Sequence, residues 1–211
     1  VYNLLQPIDH IGLIVDGAAG PLSYSLGVVN DSAPSDPDTN NAKHILAGLS
    51  YGGENFSVGT SILWGPEAFG NSSQEAMTID LLASWDPCES FSTWLNFDYK
   101  WDGGFGAGDP KGWGIALAGR YAFLERAGFA LRAEFLQDEN GLFGLGAEEN
   151  DVFGITGTLD YSLTDSLILK AEARYDPTAT LLPDGRVLSI GGSEPWDSSG
   201  DTLFTAEVWD P

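Results

Sequence analysis

Residues 76–101 read AMTIDLLASWDPCESFSTWLNFDYKW, and this stretch decides the fold class. Met77, Ile79, Leu81, Ala83 and Trp85 alternate with Thr78, Asp80 and Ser84. Past a tight turn at Asp86-Pro87-Cys88-Glu89, Phe91, Leu95, Phe97, Tyr99 and Trp101 alternate with Ser92, Asn96, Asp98 and Lys100. Successive strand side chains point to opposite faces, so this alternation makes a hairpin with one apolar and one polar face. A soluble sandwich would alternate in the same way; strand length and strand ends separate the two. Soluble strands average about five or six residues, whereas tilted strands of ~9–11 residues cross the hydrocarbon layer of a bilayer. Tryptophan and tyrosine at the ends suit the membrane interface, where an amphipathic ring has apolar and wet surroundings at once. The hairpin is therefore expected to face lipid.

The pattern continues on both sides. Strands are expected at 7–16, 21–30, 42–52 and 56–64 before the hairpin, and at 113–123, 128–137, 151–163 and 166–175 after it. Tight turns near 17–20, 52–55, 86–89, 124–127 and 164–165 alternate with polar loops at 31–41, 65–75, 102–112 and 138–150. Strict alternation of short and long connections puts every long loop at one end, the habit of outer-membrane barrels and not of sandwiches or propellers. The expected fold is all-β: an antiparallel up-and-down meander of about ten long strands over 1–175, forming a partial outer-membrane-type barrel. A short β-hairpin segment is expected over 176–211. Trp64, Trp85, Tyr99, Trp101, Trp113 and Tyr121 are expected at the bilayer edges.

Charge sets the other face. The 211 residues carry 31 acidic and nine basic side chains, a net charge of -22, which repels nucleic-acid phosphates. Lys100, Arg120, Arg132, Lys170 and Arg174 nevertheless fall inside strands on the polar face, with Asp80, Asp98, Glu134, Asp160 and Glu172. Each such charge would cost ~2–4 kcal/mol at mid-depth in hydrocarbon, so all are expected to line a wet lumen. Lys170, Glu172 and Arg174 make a stripe on one face, to lie beside Arg132 and Glu134. The remaining acids concentrate in loops, giving a mouth that modestly favours cations.

Other chemistry finds little support. His10 and His44 lack metal-ligand spacing, and Cys88 alone makes no disulfide or cluster. The glycine-rich loop 102–109 does not join a strand to a helix, and the acidic loop 31–41 lacks the spaced ligands of a calcium loop. No apolar run reaches the length of a membrane-spanning helix. No nucleophile–base or paired-carboxylate spacing emerges, so catalytic residues, metal and cofactor are all expected to be none. The chain opens on Val1, which is expected of a processed chain or a fragment.

The opening LLQPIDHIGL, LGVVND at the end of the second strand, ILWGPE after the fourth and the repeated turn types resemble the β-barrel porin family of bacterial outer membranes, over about residues 3–175. In that family the QPxxHxG stretch lies well inside the chain, whereas here it begins at Gln6; the resemblance thus implies the later part of a larger barrel. It implies a non-catalytic, porin-like outer-membrane channel for small polar solutes or ions, with outer-membrane lipid and such solutes as partners. Homo-oligomerisation is left open. Residues 175–211 resemble a single kelch repeat through TATLLPDGRVL (178–188), Gly191-Gly192 and TAEVWDP (205–211). Three readings of this tail stand: a last loop with a closing strand at 201–209, one blade of a propeller, or a joined fragment. The alternative function is accordingly a soluble or surface β-protein whose tail belongs to a propeller binding or oxidase module.

Overall fold

The computed structural model describes residues 10–30, 40–67, 70–103, 109–143 and 150–175, and the backbone of 180–181, 187–190 and 206–209. Ten strands follow one another: β1 (Gly12–Ala19), β2 (Leu22–Val29), β3 (His44–Gly52), β4 (Phe56–Pro66), β5 (Glu75–Cys88), β6 (Phe91–Asp102), β7 (Lys111–Leu124), β8 (Ala127–Glu139), β9 (Asn150–Thr164) and β10 (Leu167–Tyr175). They form one antiparallel sheet in strict sequence order. Each strand pairs with the next through a turn or loop, so the sheet is an up-and-down meander. Among the described residues β1 and β10 are each paired on one side only. The sheet is thus the open wall of a partial barrel.

The turns at 20–21, 53–55, 89–90, 125–126 and 165–166 all fall at one end, and the longer connections at 30–43, 67–74, 103–110 and 140–149 at the other. Gly20 adopts a φ of 62°, which a glycine reaches without steric cost, and this closes the Ala19–Leu22 turn. The first strand differs from its expected range. It begins at Gly12 and continues through Gly17-Ala18-Ala19, small residues that look like a turn but stay in the ladder opposite Tyr24, Ser23 and Leu22. Residues 7–9 of the expected strand lie outside the described residues. Several other strands also run further than their alternation suggests, because polar residues at their loop ends, Asp102 and Asp138 among them, remain paired. The connections 67–74 and 103–110 are shorter in consequence.

The two faces bury opposite kinds of residue. Leu13, Val15, Leu26, Leu49, Leu117, Leu131 and Leu159 stand exposed on the apolar face, where each is 46% accessible or more. On the other face Thr78, Asn96, Asp98, Glu134, Asp138 and Thr156 are buried, each 5% accessible or less. A flat sheet would expose both faces alike, so the burial pattern means that the sheet curls around its polar side. A water-soluble protein keeps large contiguous apolar surfaces covered. This chain leaves one running over ten strands. Along β6 the apolar face runs from Phe91 to Trp101; at ~3.3 Å per residue and a ~40° tilt that is about 25 Å, the height of a barrel's lipid-facing band.

Residues Asp176–Pro211 form a separate compact unit. In it β11 (Thr180–Leu181), β12 (Val187–Ile190) and β13 (Ala206–Trp209) make a three-stranded antiparallel sheet. The short hairpin expected here thus has a third strand. Residues 182–186 of TATLLPDGRVL and Gly191-Gly192, which carry part of the kelch resemblance, lie outside the described residues.

Candidate functional site

The polar face is where this chain gathers its chemistry, and register shows who meets whom. Six rows carry these residues across the sheet. Asp80 pairs with Asp98, which faces Gly114 and then Leu136. Leu82 leads through Asn96 and Ala116 to Glu134 and Gly154. Ser57 leads through Ser84, Trp94, Ala118 and Arg132 to Thr156 and Arg174. Thr78 leads through Lys100 and Gly112 to Asp138, and Arg120 through Ala130 and Thr158 to Glu172. Asp160 and Lys170 are opposite one another beside Gly128. All ten charged residues singled out in the sequence therefore stand on this one face.

The wall has two chemically different parts. Over β1–β5 it is small and hydroxylic: Ser23, Ser25, Gly48, Ser50, Gly59 and Ser61 line an open groove of about 660 Å³ with Asp16 and Asp80. Asp80 is engaged by Asn96, whose Nδ2 donates to Oδ1 at 2.6 Å. Over β7–β10 the wall is ionic. Arg120 holds Asp160 with two parallel hydrogen bonds, Nη2 to Oδ1 at 2.6 Å and Nε to Oδ2 at 3.0 Å. Arg174 Nη1 lies 2.6 Å from Glu134 Oε1, with Arg132 Nη2 at 3.8 Å from the same oxygen. Glu172 accepts from the Thr158 hydroxyl at 2.9 Å.

Both arginine bridges skip a strand. Arg120 on β7 reaches Asp160 on β9 across β8, and Arg174 on β10 reaches Glu134 on β8 across β9. Each crosses a glycine. A Cβ at Gly128 would meet Arg120 Cζ at 2.6 Å, and one at Gly154 would meet Arg174 Nη2 at 2.9 Å and Glu134 Oε1 at 3.2 Å. The missing side chain is the saddle in which the ion pair lies.

At the loop end two further arrangements close onto the polar face. Phe143, just past β8, lies over Gly112, and both carboxylate oxygens of buried Asp138 accept its backbone N–H at 3.3 Å. Gly112→Val is therefore expected to push the Phe143 ring off the wall. Chymotrypsin should then cut after Phe143 several-fold faster in the folded protein, as read by mass spectrometry of a limited digest; an unchanged cut rate there would contradict the packing. His44 lies over Gly65, with Nδ1 2.9 Å from the Asn30 carbonyl oxygen and Nε2 2.8 Å from Glu67 Oε2. It ties the ends of two long connections together, a role that its spacing in the sequence does not suggest. Among the described residues no group of three His, Cys, Asp or Glu gathers in a way that could hold a metal ion.

The six aromatics expected at bilayer edges stand on the apolar face in two bands. Trp85 and Tyr121 are at the turn end, 52% and 53% exposed. Trp64, Tyr99, Trp101 and Trp113 are toward the loop end. Trp113 packs between Phe97 and Phe135, at centroid distances of 6.2 and 5.2 Å, and its indole N–H donates to Gln137 Oε1 at 2.6 Å. Trp94 stands on the polar face, in the row of Arg132.

Alternation places Asn96 on the polar face, but sequence reasoning missed Thr156, Asp138 and His44, which are polar, inward and either uncharged or near a strand end. Period-two counting from its charged neighbours would have found Thr156 as well. Asp138 reads as the first residue of a loop.

No curated protein matches this chain. A family profile does, under the description "Putative beta-barrel porin-2, OmpL-like", over residues 3–208, which takes in all ten strands and most of the C-terminal unit. No kelch repeat is named by that match. A meander of long strands with a continuous apolar outside and an ionic inside is the wall such a family requires, and the chain belongs to this OmpL-like family of β-barrel porins.

Proposed function

We propose that the protein is a non-catalytic channel of the bacterial outer membrane that passes small polar solutes and ions by diffusion. One observation carries the reading: a single meander exposes an apolar belt on one face while its other face is paved with ion pairs and hydroxyls. Water must wet the second face and lipid must cover the first, because mid-depth charges in hydrocarbon cost ~2–4 kcal/mol each. The lumen would then be lined by Asp80, Asp98, Lys100, Arg120, Arg132, Glu134, Asp160, Lys170, Glu172 and Arg174. Trp64, Trp85, Tyr99, Trp101, Trp113 and Tyr121 would mark the lipid headgroup levels. In a bilayer the open backbone groups along β1 and β10 must also be paired, so closure of the wall across these edges is part of the proposal. The family is one of porins, for which diffusion and not catalysis is the expected activity.

The test is reconstitution of the full chain in planar bilayers. Discrete conductance steps above the detergent control are expected, with a modest preference for cations among simple salts, since the chain carries 31 acidic residues against nine basic. A preparation that never gives steps, or that stays soluble without detergent, overturns the proposal.

A further inference from the structure

We propose that Phe143 is a specificity-determining residue of the channel, its ring forming the lip of the narrowest section of the lumen and setting the size of solute that passes. This role rests on the channel reading and adds where in the lumen selection by size takes place. β8 ends at Glu139, and the next two residues, Asn140 and Gly141, both take left-handed backbone, with φ of 62° and 73°. Two consecutive left-handed residues make the tight reversal of a hairpin turn, so the chain doubles back instead of continuing outward. Phe143 thereby returns to the level of Asp138, whose two carboxylate oxygens accept its backbone N–H at 3.3 Å. Its ring comes to rest on Gly112, where a Cβ would meet ring atom Cζ at 2.8 Å. Lys100 and Asp138 flank Gly112 in the same row, so the ring lies on the polar wall and not on the lipid side.

Burial along the polar face changes from one end to the other. Thr78, Asp98, Gly112, Gly114, Leu136 and Asp138, in the two rows nearest the ring, are all buried. In the rows nearer the turns, Ser57, Ser92, Arg120, Lys170 and Glu172 are exposed. A wall that faces a wide, water-filled space is wetted along its whole height. This one is wetted at the turn end and shielded at the loop end, so the space inside narrows from a vestibule toward the loops. Phe143 itself is half-buried; part of its ring covers the wall and part faces the passage. The facing part is hydrocarbon and offers a hydrated solute no hydrogen bond. It therefore limits passage by its bulk and by the water that a solute must shed to slip past it.

Single channels of the full chain in planar bilayers test this, with polyethylene glycols of rising mass added to one side at a time. A polymer that enters the lumen lowers the conductance, and one that is excluded leaves it unchanged. Polymers of intermediate mass are expected to lower the parent's conductance from one side only, because from the loop side the lip stops them. Phe143→Ala should let the same polymers act from both sides. Phe143→Trp should move the cutoff on the restricted side to smaller polymers, a shift in the opposite direction that also serves if the alanine variant does not fold. Ser57→Leu, in the vestibule, should keep the parent's cutoff. The heat-induced gel shift of a folded barrel checks each variant. Equal exclusion from both sides in the parent, or a cutoff unmoved in folded Phe143→Ala or Phe143→Trp, overturns the lip and leaves the channel standing. A parent that gives no conductance steps overturns the channel reading, and the lip falls with it.

Discussion

Leu117→Arg is expected to destabilise the protein in lipid vesicles by ~2–4 kcal/mol, the cost of an arginine at the midplane of a barrel's lipid face. Leu117 lies near the middle of β7, pairs with Leu95 and Ala133 and is 53% exposed. In a soluble protein an exposed leucine of this kind tolerates replacement within about 0.5 kcal/mol either way. The same substitution is therefore costly under lipid and nearly neutral in water. Tyr121→Arg serves as the depth control. Tyr121 sits on the same face near the turn end, and arginine there should cost only ~0–1 kcal/mol because its head can reach the interface. Urea titration of folding into vesicles measures both. Equal, small effects at 117 and 121 would mean that no hydrocarbon covers this face.

The second large effect is predicted on the other face. Arg174→Gln removes the guanidinium 2.6 Å from Glu134, whose side chain is only 2% exposed. Water cannot easily replace the lost partner, so the carboxylate remains buried and undercompensated. The expected loss is ~1–3 kcal/mol, the penalty for leaving a buried charged group without its pair, moderated by Arg132 at 3.8 Å. Glu134→Gln alone should cost about 1 kcal/mol or less, because Arg174 is 35% exposed and stays hydrated. Combining the two substitutions should restore most of the stability lost in Arg174→Gln. A double variant no better than the single one would mean that the bridge is not the source of the loss. Unfolding of the detergent-folded protein in urea gives all three values on one scale.

These expectations differ in how far sequence alone leads to them. The hairpin at 76–101 shows its two faces directly, because alternation over strands of this length has few other readings. The meander follows from the same counting in its neighbours. Strand ends are less legible. Asp102 and Asp138 look like loop residues, yet the ladder continues through them, opposite Ala76 and Gly112. Gly17-Ala18-Ala19 looks like a turn, yet these residues keep the register with Tyr24, Ser23 and Leu22. The bridges are illegible for a different reason. Arg120 and Asp160 are forty residues apart and separated by an intervening strand. Nothing in the spacing announces their meeting, which depends on a glycine at 128. In the same way Thr156 is one more strand threonine until Arg132 and Arg174 are seen on either side of it.

The glycine saddles constrain the order in which this wall can change. While Arg120 lies across position 128, any side chain there collides with its guanidinium; once Arg120 is replaced by a short residue, the space opens and the glycine becomes dispensable. The same holds for Arg174 and position 154. A side chain at either glycine displaces the guanidinium and breaks the bridge, so its cost falls once the arginine has already gone. A random-mutagenesis library should accept bulky residues at 128 and 154 mainly in backgrounds that have already lost the corresponding bridge.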